Sequence, residues 1–136
     1  MAKLLFCILS ENIITDSTDN KVSIINLVEV ITTTALPAVY PLLNFFCLWE
    51  KDIALDDNEH IDARLDIEYI GTEEPPREKP ISLEIPSGNK NLRSFLRLEG
   101  LPLKHEGEVR FSIKQELEGE WKEIGFYNIN VKKVTG

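Results

Sequence analysis

The chain has 136 residues, 43% of them apolar and 28% charged. That is enough for one domain with a sizeable hydrophobic core, and too apolar for a disordered polymer. Fifteen bases against 23 acids leave a net charge of −8, which argues against a nucleic-acid backbone as the main partner, because phosphate neutralisation needs clustered Lys and Arg, and disfavours anionic lipid.

The imbalance is local. Between Glu50 and Glu78 eleven acids (Glu50, Asp52, Asp56, Asp57, Glu59, Asp62, Asp66, Glu68, Glu73, Glu74, Glu78) stand against Lys51, Arg64 and Arg77, so the window carries 3 − 11 = −8 and the remainder 12 of each sign. Such a run reads first as a solvated face and second as a docking surface for a basic partner or a cation. Cys7 and Cys47 are the only cysteines, both among apolar residues, where a reduced and buried thiol is the default. The apolar start Leu4 to Leu9 is shorter than a signal-peptide core and leads into Ser10-Glu11-Asn12, and no run has the length of a membrane span. These features place the protein in the cytoplasm.

In chain order, Lys3 to Thr15 reads as an apolar first strand, tipped to β by Ile13, Ile14 and Thr15. Asp16 to Lys21 is a loop of turn-formers. Val22 to Thr33 is the return strand, apolar on both faces and therefore expected at the centre of a sheet, which makes the hairpin interior scaffold. Ala35 to Pro41, with Pro37 and Pro41, reads as an extended crossover. Leu43 to Asp52, with Phe45, Phe46, Cys47, Leu48 and Trp49, is a heavily buried strand, and Ile53 to Glu59 an acidic loop. His60 to Ile70 alternates cleanly, Ile61, Ala63, Leu65, Ile67 and Tyr69 toward the core and Asp62, Arg64, Asp66 and Glu68 toward water.

Thr72 to Pro80 reads as a charged, proline-rich loop, and Ile81 to Ile85 as a short strand. Asn91 to Glu99 fits a strand better than a short helix. Gly100 to Leu103 reads as a bend, and Glu108 to Leu117 as an alternating strand turned by Glu118-Gly119. In the last strand, Trp121 to Val134, the apolar parity slips near Gly125, which predicts a β-bulge. About eight short strands without a convincing helix predict one antiparallel β-sandwich, immunoglobulin-like or C2-like, over residues 1–136.

FCILSENII…NKVSIINLVEVI followed by LPAVYPLLNFFCLW, with a closing Gly107-Glu108-Val109-Arg110-Phe111 strand, resembles an uncharacterised bacterial family of small β-sandwich proteins, a domain of unknown function. Val109 departs from that family's usual aromatic. The resemblance implies a fold and carries no active site.

The chemistry is sparse. His60 and His105 have no ligand at a zinc spacing, and no nucleotide-binding or nucleophile motif occurs. Cys7 and Cys47 read as core. Asp62, Asp66 and Glu68 share a strand face and could form an acid–base pair, but Arg64 lies between them and no aromatic platform is expected on that face. Asp16 and Asp19 in one loop and Asp52, Asp56, Asp57 and Glu59 in another offer oxygen ligands for calcium, without EF-hand spacing. Phe95 and Trp121 are expected opposite their strands' core faces. The reading that follows is a non-catalytic protein-interaction or assembly module, without a cofactor, whose partner is another protein or its own copy. A calcium- or small-ligand-binding sandwich and a small carboxylate-based hydrolase are the alternatives.

Overall fold

The computed structural model describes residues 1–52 and 57–135, and they are all β. Nine strands appear rather than about eight: β1 (Lys3–Thr15), β2 (Val22–Leu27), β3 (Val30–Thr33), β4 (Ala38–Glu50), β5 (Glu59–Tyr69), β6 (Arg77–Ile85), β7 (Asn91–Leu103), β8 (Gly107–Leu117) and β9 (Glu120–Lys133). They form a four-stranded sheet, β2-β1-β4-β7, and a five-stranded sheet, β3-β9-β8-β5-β6.

Alternation decides the core. Leu9, Leu43, Phe45 and Trp49 come from the first sheet, and Ile61, Leu65, Phe111, Ile113 and Val131 from the second, all withdrawn from water. Phe45 stacks on Phe111 across the sheets with ring centroids 6.1 Å apart. Each such side chain contributes about 2 kcal/mol by leaving water. The Trp49 indole N–H donates to Ser94 Oγ at 3.1 Å, so its one polar group is satisfied.

The extra strand comes from the stretch expected as one central strand, Val22 to Thr33. It is divided instead, and each half lies at the edge of a different sheet. Asn26 takes a left-handed φ of 57°, Val28 turns into the core, and the Val28 N–H donates to Leu9 O at 2.9 Å. The apolar residues on both faces serve two sheets in turn rather than one central position. β3 then runs parallel to β9, so the strand pairing is not wholly antiparallel.

Two proline-bearing stretches expected as crossover and loop are strand instead. β4 begins at Ala38, inside the predicted crossover, and contains Pro41. β1 pairs with β4 only as far as Ser10↔Asn44, so Pro41 lies where β4 has β7 alone beside it and its missing N–H breaks no ladder on the open side. β6 begins at Arg77, within the predicted proline-rich loop, and takes Pro80 into an edge strand. β7 is a strand, as expected over Asn91 to Glu99, and continues through Gly100 at φ 69° to Leu103.

The predicted bulge is present. β8 and β9 slip register between Ile113↔Gly125 and Lys114↔Glu123. A Cβ on Gly125 would stand 2.7 Å from Leu4 Cδ2, so the bulge places a hydrogen where β1 crosses β9.

Candidate functional site

The first hairpin is not interior scaffold along its whole length. Its proximal residues Cys7 and Leu9 enter the core, but no residue from Ser10 to Leu27 belongs to the buried core cluster. The distal half folds back over the outer face of the four-stranded sheet. Directly paired Ile13 and Ile24, and Thr15 and Val22, share one side of the hairpin. Ile13 and Thr15 border a hollow with Leu42, Asn44, Phe95 and Arg97. Val22 and Ile24 border a second with Phe6, Phe46 and Leu48. Arg93 Nη1 donates to Asn20 O at 2.7 Å and ties the hairpin tip to the start of β7. Asn44 Nδ2 donates to Glu11 O at 3.0 Å at the point of departure.

This explains a ring that sheet alternation alone would leave wet. Phe46 alternates with core residues Phe45 and Cys47, so it points outward, yet it is 3% exposed. Phe6 and Phe95 flank it at 5.7 and 5.3 Å between centroids, a three-ring ladder across β1, β4 and β7. Phe95 itself, as expected, lies outward and 45% exposed.

Between the hairpin and the sheet a cleft of about 780 Å³ opens on the β2 side. Its apolar floor and wall are Phe6, Val22, Ile24, Phe46 and Leu48, and its far rim is the β6–β7 connection, Gly88 to Asn91, with Arg93. β2 borders it as an edge strand. The Asp16 N–H donates to Lys21 O at 2.8 Å, so the hydrogen-bonded pairs of the hairpin continue at Ile14↔Ser23 and Asn12↔Ile25. The Ile13 N–H donates to Asn12 Oδ1 at 3.0 Å instead of to β2. Val22 and Ile24 therefore turn their backbone N–H and C=O toward the free edge.

The other three sheet edges are blunted. β6 carries Pro80 with Arg77, Glu78, Lys79 and Glu84, β7 carries Arg93, Arg97, Glu99 and Pro102, and β3 has four residues. β2, Val-Ser-Ile-Ile-Asn-Leu, has neither charge nor proline.

The outer face of the five-stranded sheet is built differently. Asp66, expected in water, is 2% exposed. Arg64 Nε and Nη2 donate to its two oxygens at 2.7 and 3.0 Å, and Lys114 Nζ lies 2.8 Å from Oδ2. Burial pushes the Asp66 carboxyl up, but the hydrogen bonds from Arg64 and Lys114 outweigh it and hold it below the usual range. Arg110 grips Glu123 with two hydrogen bonds, 3.1 and 2.7 Å, which lower the Glu123 carboxyl likewise.

Contrary to expectation, aromatics do share this face. The Arg64 guanidinium lies 4.7 Å from the centroid of Trp121 and that of Arg110 3.8 Å from Phe126, and both rings are about half exposed. The three carboxylates Asp62, Asp66 and Glu68 are not left as a free acid–base set: Asp62 Oδ1 meets His60 Nε2 at 2.9 Å and Glu68 Oε1 lies 3.8 Å from Lys114 Nζ.

The calcium candidates are dispersed into local contacts. Asp16 Oδ1 accepts from the Thr18 N–H at 2.7 Å and Asp19 Oδ1 from the Lys21 N–H at 3.2 Å, each shaping the turn. Asp52 meets the Met1 amino group at 2.8 Å, and Glu59 is buried with Oε1 accepting from the Asp52 N–H at 3.4 Å. Asp57 is exposed, and Asp56 lies outside the described residues. Among the described residues no three His, Cys, Asp or Glu side chains gather to hold a metal ion.

Cys7 and Cys47 face each other in register as free thiols. Burial pushes the Cys7 thiol up to about 11 and raises Cys47 further, which keeps both protonated and poorly nucleophilic at neutral pH.

The cleft had a partial signal in the sequence. Phe46 beside Phe45, on a strand with no polar face, implies a cover on both sides; which segment provides the cover is decided by the fold. No helix among the described residues is long and apolar enough to cross a membrane. No protein-family model matches the chain, and no curated protein matches it significantly.

Proposed function

We propose that this chain is a non-catalytic protein-interaction or assembly module, an immunoglobulin-like or C2-like β-sandwich in which β2 receives an extended strand from a protein partner or from a second copy. The observation that carries the reading is the unprotected edge: six uncharged residues with outward backbone groups at Val22 and Ile24, beside an apolar floor. Backbone pairing supplies affinity in such strand addition, and the pockets for alternate side chains supply selectivity.

The non-catalytic part is supported by how the chemically able groups are used, Asp66 and Glu123 in ion pairs and both thiols held protonated by burial. Two facing thiols left free suit the reducing cytoplasm. The net charge of −8 favours a protein partner over nucleic acid or an anionic membrane.

The test is Ile24→Pro, which removes an edge donor that the hairpin ladder does not use. Affinity capture from the native cell and light scattering on the purified chain are run on both forms. The wild type is expected to retain a defined partner or to self-associate, and Ile24→Pro to lose this with an unchanged β-rich circular dichroism spectrum. A monomeric wild type without a reproducible partner would falsify the module.

A further inference from the structure

Resting on that strand-addition reading, we propose that the segment β2 receives is an extended apolar peptide that carries carboxylates, which Lys90 and Arg93 bind at the rim of the cleft. The chain as a whole is acidic, and at its average composition twelve lining residues would include about two acids, since 12 × 23/136 ≈ 2. None of the twelve is acidic, whereas two are basic and three are asparagines, Asn20, Asn89 and Asn91.

The two bases are also uncommitted. On the outer face of the five-stranded sheet, by contrast, Arg64 and Lys114 are spent on Asp66 and Arg110 on Glu123. Among the described residues, neither Lys90 nor Arg93 is in an ion pair: Arg93 gives one N–H to Asn20 O, and Lys90 uses only its backbone carbonyl, accepting from the Lys51 N–H at 2.7 Å. Glu50, the next outward residue on β4, is not among the twelve; it stands next to the rim, with Lys3 on one side and the lining residue Asn91 on the other.

The two ends of the cleft therefore ask for different chemistry. A strand laid along Val22 and Ile24 would set alternate side chains on Phe46 and Leu48, which accept apolar groups. At the rim two exposed cations and three amides offer only donors of positive charge and neutral hydrogen-bonding groups, to which carboxylate oxygens are complementary. A lysine- or arginine-bearing strand would place like charge there and be rejected.

The experiment is fluorescence anisotropy on the full chain with two labelled peptides, each alternating valine and threonine, one ending in two aspartates and the other in two lysines. The aspartate peptide is expected to bind about tenfold more tightly, with affinity falling as salt rises. Lys90→Glu, which leaves Arg93 facing one new carboxylate and brings the rim to neutrality, is expected to erase the preference, and Ile24→Pro to abolish binding of both peptides. Equal binding of the two peptides, lost in Ile24→Pro, would overturn the carboxylate inference and leave the edge reading standing. No binding of either peptide also overturns it, and if the wild type has no protein partner as well, the module falls with it. Displacement of the aspartate peptide by dodecanoate at lower concentration would reassign the cleft to a small amphipathic carboxylate and overturn the peptide.

Discussion

The two outer faces of this protein hold their central aromatic rings in different ways. On the four-stranded sheet the chain folds its own hairpin over Phe46, which is dry, while Phe6 and Phe95 beside it stay about half exposed with no cation across them among the described residues. On the five-stranded sheet Trp121 and Phe126 stay about half exposed, and arginine side chains lie across them while their charges are neutralised by neighbouring carboxylates. The first solution is hydrophobic and leaves a bare strand edge and a cleft. The second is electrostatic and leaves a surface on which Arg64, Asp66, Arg110, Lys114 and Glu123 are already paired. A partner gains more by covering apolar groups and unpaired backbone than by competing with formed ion pairs, so the difference between the faces directs attention to the hairpin side.

The contrast is open to breakage by truncating one ring on each face. Phe46→Ala is expected to cost about 3 kcal/mol, since it removes a fully covered ring and leaves a cavity. Phe126→Ala removes a half-exposed ring and is expected to cost about 1 kcal/mol or less. Urea unfolding of the two variants checks this, and equal losses would dissolve the distinction.

A smaller effect tests the electrostatic face. Asp66→Asn is expected to cost about 2 kcal/mol at neutral pH through the loss of charge-assisted hydrogen bonds from Arg64 and Lys114. The sign with pH follows from the lowered folded-state pKa of Asp66: its stabilisation is full above the unfolded-state value and is lost as pH falls through the folded-state value. The gap between wild type and variant should therefore close in acid, as measured by unfolding at stepped pH. A gap that stays constant into strong acid would mean that Asp66 contributes by shape and not by charge.

Smallest in global stability is Arg93→Ala, which unties the hairpin tip from β7. Loss of one exposed hydrogen bond is expected to change overall stability by less than about 1 kcal/mol, while amide exchange at Ser23 and Ile25, the ladder-bonded residues of β2, speeds up and that of β8 does not. Uniform change across the chain would show that the hairpin is not a separable cover.

Much of the architecture was legible because strand periodicity is local. The alternation of β5, the slip at Gly125 and the turn at Asp16 to Lys21 are all written in neighbouring residues, and each appears where the pattern puts it. What local pattern does not encode is which surface covers an apolar face. Val22 to Thr33 is apolar on both sides whether it lies in the middle of one sheet or bends at Val28 to serve two, and only the competition for core space at Val28 and Ile31 selects the second. Asp66 reads as a solvated residue for the same reason, because Lys114, which helps to bury it, is 48 residues away in sequence and reaches it only through the β5–β8 register.

By itself, then, the sequence determined an all-β chain, its turns, its bulge and most of its core, since these depend on side-chain alternation and backbone preference over a few residues. The tertiary structure alone decided that the first hairpin is a cover as well as a scaffold, that its second strand is an open edge, and that the cleft beneath it carries bases without acids. Those properties come from long-range packing, where a residue's environment is set by partners that no nearby residue announces.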